Sequence, residues 1–125
     1  MKIALLGDSI RLIGYGTKVP AMLGEAFEVY QPSENCRFSK YTQWCIHDWC
    51  KKMDGCRIIH WNNGLWDVFD HGNGIFSSEE EYLANMLTLP TDFSRLRQTL
   101  FLLPRRRLPT YIPIFKMRTS SATTK

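Results

Sequence analysis

The stretch KIALLGDSIR, residues 2–11, runs from an apolar segment straight into Gly7, Asp8 and Ser9. Glycine permits a sharp exit from a strand, and aspartate fixes a turn through local backbone bonds. A serine at the head of the next turn lies among outward-pointing N–H groups that can hold an oxyanion. Ser9 is therefore a candidate nucleophile and Asp8 a candidate part of the oxyanion or substrate site. A plain turn is the competing reading of the same letters. A second cluster lies in HWNNGLWD, residues 60–67. Asn62 and Asn63 are neutral amide donors suited to charge developing on a carbonyl oxygen, and Gly64 stands with them. Asn-Gly is equally a common turn pair. Trp61 and Trp66 read as core or pocket wall.

A serine at its free pKa is a weak nucleophile and needs a base within hydrogen-bond reach. The chain's histidines are His47, His60 and His71, with none beyond residue 71. Other chemistries fit poorly. GDSIRLIG lacks the Gly-Lys-Ser/Thr of a phosphate loop, and GYGTKV follows no strand and lacks a third glycine. Cys45, His47, Cys50 and Cys56 do not form a zinc pattern, because Cys45 and His47 point to different faces of a helix. No Cys-x-x-Cys pair occurs, so reduced thiols are expected.

These groups need elements to position them. KIALLG, residues 2–7, reads as a buried strand. TKVPAMLGEA, residues 17–26, reads as a short helix with Pro20 in its first turn. AFEVYQP, residues 26–32, is a second strand closed by Pro32. YTQWCIHDWCKKM, residues 41–53, is a helix whose apolar stripe is Tyr41, Trp44, Cys45 and Trp49. CRIIHWN, residues 56–62, is a third strand. SSEEEYLANML, residues 77–87, starts a helix with Ser78 and Glu81 at capping-box spacing and acids near the positive end of the dipole. TLFLL, residues 99–103, can supply a fourth strand. Alternation of this kind predicts an α/β fold, three-layer α/β/α with a short parallel sheet. In such sheets functional groups gather at the carboxyl ends of the strands. Three loops meet that rule: GDSI, SENCR and WNNGLWD.

Together, the two motifs resemble the SGNH hydrolases, the GDSL esterase/lipase family. GDS at residues 7–9 is similar to the family's first block and NNGLWD at residues 62–67 to its third, and the resemblance covers roughly residues 1–89. It implies a flavodoxin-like SGNH hydrolase fold, here incomplete, and a serine esterase acting on small acyl esters such as acetyl groups on sugars. It makes Ser9 the nucleophile and Asn62 the side-chain oxyanion donor, with Asn63 as the fallback. The second-block donor falls on Asn35 or Cys36 in SENCR. Arg37 and Trp66 become pocket residues, Arg37 for an anionic part of a ligand. No metal or organic cofactor is implied, and the partner is a small-molecule or carbohydrate ester rather than a nucleic acid or a membrane. The family's base is a histidine in a C-terminal Asp-x-x-His, which this chain lacks.

Charge divides the chain. Residues 1–90 carry eight Lys/Arg against eleven Asp/Glu, a net −3, whereas residues 91–125 carry eight against one, a net +7. Residues 1–103 read as one SGNH hydrolase-like domain, and residues 104–125, rich in Pro, Arg, Ser and Thr, as an irregular, disordered basic tail. Truncation or a change of reading frame after about residue 90 would explain the shift. The apolar run at residues 3–6 is too short for a signal peptide and no stretch suits a membrane helix, so the expected address is the cytoplasm. Two other functions compete: a non-catalytic α/β remnant or binding module, and a nucleic-acid binder through Arg105, Arg106 and Arg107.

Overall fold

The structure, a computed structural model, describes residues 1–94 and 99–103, with side chains described to residue 89. The sequence elements predicted from periodicity form in the expected order. They are β1 (Lys2–Gly7), α1 (Val19–Leu23), β2 (Glu28–Tyr30), α2 (Ser39–Lys52), β3 (Cys56–Asn62), α3 (Glu79–Ser94) and β4 (Thr99–Leu103). A π-helical turn (Ile10–Gly14) and a 3-10 turn (Tyr15–Thr17) intervene between β1 and α1. The expected first helix, residues 17–26, thus contracts to five residues, because the 3-10 turn takes up Thr17 and Gly24 ends the helix in positive φ.

The sheet is parallel throughout, in the order β2-β1-β3-β4. β1 therefore lies between the strands that follow it, and the chain leaves it toward β2 before crossing back to β3. The α/β class read from the sequence is the class observed. Ligands in sheets of this order sit at the carboxyl edge where neighbouring strands diverge, here between β1 and β3. The residues at that edge are Gly7 and Asn62, which are register partners.

Strand alternation divides the sheet's two faces. Ala4, Leu6, Ile59 and Trp61 pack with Ile46, Trp49 and Met53 of the α2 region and with Tyr82, Met86 and Leu89 of α3. Ile3 and Leu5 point the other way and are also buried. The expected apolar stripe of α2 forms in part: Trp49 is in the core and Tyr41 and Cys45 pack against it, but Trp44 does not. The helix buries Ser39, Thr42, Ile46 and Trp49, and Trp44 is 83% exposed. Ser39 and Thr42 are buried because polar partners satisfy them. Thr42 Oγ1 donates to Cys36 O, and Ser39 to Asp67. The capping box at α3 forms as expected: Ser78 Oγ accepts from Glu81 N and Glu81 Oε2 accepts from Ser78 N. The backbone of α3 continues past Pro90 to Ser94. The predicted irregular tail, with Arg105, Arg106 and Arg107, lies outside the described residues.

Candidate active site

Close packing sets the path of the chain out of β1. A Cβ on Gly7 would stand 2.8 Å from Arg11 Cβ and 3.1 Å from the Tyr15 hydroxyl, so only glycine fits beneath this turn. Asp8 then organises it. Its Oδ1 accepts from Ile10 N at 2.9 Å, and its carbonyl accepts from Arg11 N and Leu12 N. Ser9 sits at the head of the π-helical turn with φ −57° and ψ −28°. It is half-buried, and its hydroxyl makes no hydrogen bond among the described residues. The serine expected to be presented at the sheet edge is therefore at that edge.

Asn62 is pulled inward. Only 5% exposed, it donates from Nδ2 to Asp8 Oδ1 at 3.2 Å. The Tyr15 hydroxyl meets His60 Nδ1 at 3.2 Å, their rings edge to face with centroids 5.2 Å apart. His60 and Asn62 share a strand face because they are two apart. The result is two buried polar pairs near the turn that carries Ser9, Asp8 with Asn62 and Tyr15 with His60. Burial raises the Tyr15 phenol to about 12 and pulls the His60 imidazole down. Asp8 Oδ2 is buried without a partner among the described residues.

The loop after β2 is tied to the first by Arg11, which sequence reading passed over. Its guanidinium is buried and donates to Pro32 O at 2.7 Å, to Glu34 O, to Gly7 O at 3.4 Å and to Cys36 Sγ at 3.7 Å. The available signal was a lone arginine in the otherwise apolar run Ile10–Ile13. Cys36 N donates to Gly7 O at 3.0 Å. That bond removes the Cys36 N–H from the oxyanion donors, correcting the expectation, and burial raises its thiol pKa. Asn35 closes a local turn, its Oδ1 accepting from Arg37 N at 2.7 Å. Arg37 is exposed with φ +51°, its guanidinium 4.7 Å from the Tyr41 ring centroid.

In the third loop Asn63 is also turned inward. Its Nδ2 donates to Thr42 Oγ1 at 3.3 Å and to Arg37 O at 3.4 Å. Gly64 adopts φ +120° beneath the Tyr82 hydroxyl, which a Cβ would approach to 2.8 Å. Asp67, likewise missed, is fully buried. It accepts from Ser39 N at 2.9 Å, from Ser39 Oγ at 2.6 Å and from Ser77 Oγ at 3.0 Å. Trp66 joins a wall of exposed rings beside it. None of the imidazoles hydrogen-bonds Ser9: His47 is exposed on α2, His60 is engaged by Tyr15, and His71 packs 4.6 Å from the Phe69 ring. No disulfide joins the cysteines. No described helix is long and apolar enough to cross a membrane.

No family model and no curated protein matches the chain. Among solved structures, the crystal structure of an acetyl xylan esterase, AlAXEase, superposes with a TM-score of 0.64 at 13% identity. The match covers 82% of this chain and 57% of that one, so the chain spans little more than half that enzyme's length. At this identity the likeness establishes a shared α/β fold.

Proposed function

We propose that these residues form the N-terminal portion of an SGNH-type serine ester hydrolase in which Ser9 is the nucleophile. The observation that carries this reading is the placement of Ser9. Its hydroxyl is unbonded among the described residues, at the edge where β1 and β3 diverge, on a fold shared with an acetyl xylan esterase. Ser9 Oγ attacks the acyl carbonyl and its proton passes to a base. The Ser9 N–H receives the charge on the carbonyl oxygen, joined by the Asn62 amide through the N–H not donated to Asp8. The second-loop donor is the Asn35 N–H, since that of Cys36 is committed to Gly7. Collapse expels the alcohol, which takes the proton from the base, and water then releases the acyl group in the reverse sense. The base comes from outside the described residues. The substrate is a small-molecule or carbohydrate ester with a short acyl group, acetyl foremost.

The test is incubation of the purified chain with para-nitrophenyl acetate. Release of nitrophenolate is expected together with an acetyl group on the Ser9 peptide by mass spectrometry. Both should vanish in Ser9→Ala. Release that is unchanged in Ser9→Ala refutes the serine mechanism. A folded chain that neither releases nitrophenolate nor acetylates favours the competing reading, a non-catalytic module binding at the same edge.

A further inference from the structure

Away from Ser9, the loop that follows β3 encloses a hollow of ≈ 360 Å³. Its walls are Phe38, Leu65, Trp66, Phe69, His71 and Phe76, so rings dominate and neither Ser9 nor Asn62 contributes. Trp66, Phe69 and Phe76 remain 39%, 52% and 53% exposed. Single exposed apolar residues are ordinary, but a concave set of them is not.

The loop carrying these rings is held open by a polar node. Asp67 accepts from Ser39 and Ser77, and Asn85 of α3 donates to Ser39 Oγ at 2.9 Å. Each of the three residues pinned at that carboxylate directly follows a wall ring: Phe38 precedes Ser39, Trp66 precedes Asp67, and Phe76 precedes Ser77. The Phe38 and Phe76 rings meet with centroids 4.6 Å apart, and Phe76 N donates to Phe69 O at 3.0 Å. The hollow is thus preformed. The backbone beside Phe38, Trp66 and Phe76 is anchored from behind by the buried hydrogen bonds of Ser39, Asp67 and Ser77.

We propose that this hollow is a binding site for an uncharged aromatic ring borne by a small molecule, whether or not Ser9 acts on an ester. Ring walls favour an aromatic occupant through edge-to-face and offset contacts. A sugar or phosphate would leave its polar groups without partners against walls of this kind. No carboxylate lines the hollow, so a cation would have ring faces alone to offset its loss of water. The volume matches small-ligand sites, which start at about 300 Å³. It is too small for a second copy, which needs about 800 Å² of surface from each partner.

The experiment titrates the full chain with benzyl alcohol, following the indole N–H resonances and the heat of binding. Cyclohexylmethanol, glucose and benzyltrimethylammonium serve as comparators. Benzyl alcohol should bind saturably and more tightly than all three. Trp66→Ala and Phe69→Ala, both exposed wall positions, should each weaken it about tenfold with the circular dichroism unchanged. Asp67→Asn should weaken binding as well if its circular dichroism is retained. Lack of saturation, tighter binding of the ammonium ion or of glucose, or affinity unaltered in both wall variants would overturn the proposal.

Discussion

Asp67 offers the sharpest test of how this fold is held together. Its carboxylate takes three donors, Ser39 N, Ser39 Oγ and Ser77 Oγ, at a fully buried position. In Asp67→Ala the two hydroxyls can rotate toward other acceptors, but the Ser39 N–H cannot. A stranded buried N–H costs about 1–3 kcal/mol, and hydrogen bonds to a charged acceptor contribute about 1.5–3 kcal/mol each. Allowing for hydroxyl rotation, the expected loss is about 3–5 kcal/mol, the range seen when a buried charged network loses one member. Against a total stability of about 5–15 kcal/mol this is severe. Asp67→Asn keeps one acceptor oxygen but turns an amide N–H toward existing donors, so its cost should fall between wild type and alanine. The assay is urea unfolding followed by tryptophan fluorescence, with thermal melts in parallel. A domain of this size should melt about 10 °C or more lower in Asp67→Ala. A loss below about 1 kcal/mol would refute the idea that this carboxylate pins the loop after β3 to α2 and α3.

Three further outcomes follow from the same geometry. Gly7→Ala places a Cβ 2.8 Å from Arg11 Cβ, and should cost about 1–3 kcal/mol in urea unfolding. Arg11→Lys replaces a planar fork that reaches the Pro32, Glu34 and Gly7 carbonyls with a single ammonium. It should cost about 2–4 kcal/mol and raise proteolysis of the 32–37 loop, read by limited digestion. Burial lowers the His60 pKa from 6.5, so the folded state favours the neutral ring. That contribution is fully present above the unfolded value near 6.5 and is lost as pH falls through the lower folded value. Unfolding midpoints should therefore decline more steeply below pH 6.5 in wild type than in His60→Gln; equal slopes would contradict this.

Much of this molecule was legible before any fold was seen. The apolar run of residues 3–6, the glycines, the capping box and the strand–helix alternation depend on local preference and periodicity, which a sequence carries directly. Parallel pairing follows from alternation, and parallel pairing places Gly7, Ser9 and Asn62 at one edge. Side-chain direction is another matter. Trp44 sits on the predicted stripe and is exposed, while Ser39 and Thr42 are buried on polar partners 28 and 6 residues away. Pro32, a partner of Arg11, lies 21 residues from it, and Ser39, a partner of Asp67, lies 28 residues from it, and no periodicity announces such a bond. Local preference and periodicity settle which elements form and set a serine at the end of the first. Where the hydrogen bonds of that edge are spent depends on packing across the sheet. Asn62 and Cys36 face inward and His60 is drawn to Tyr15, because a buried polar group takes whichever partner the packed chain brings within reach.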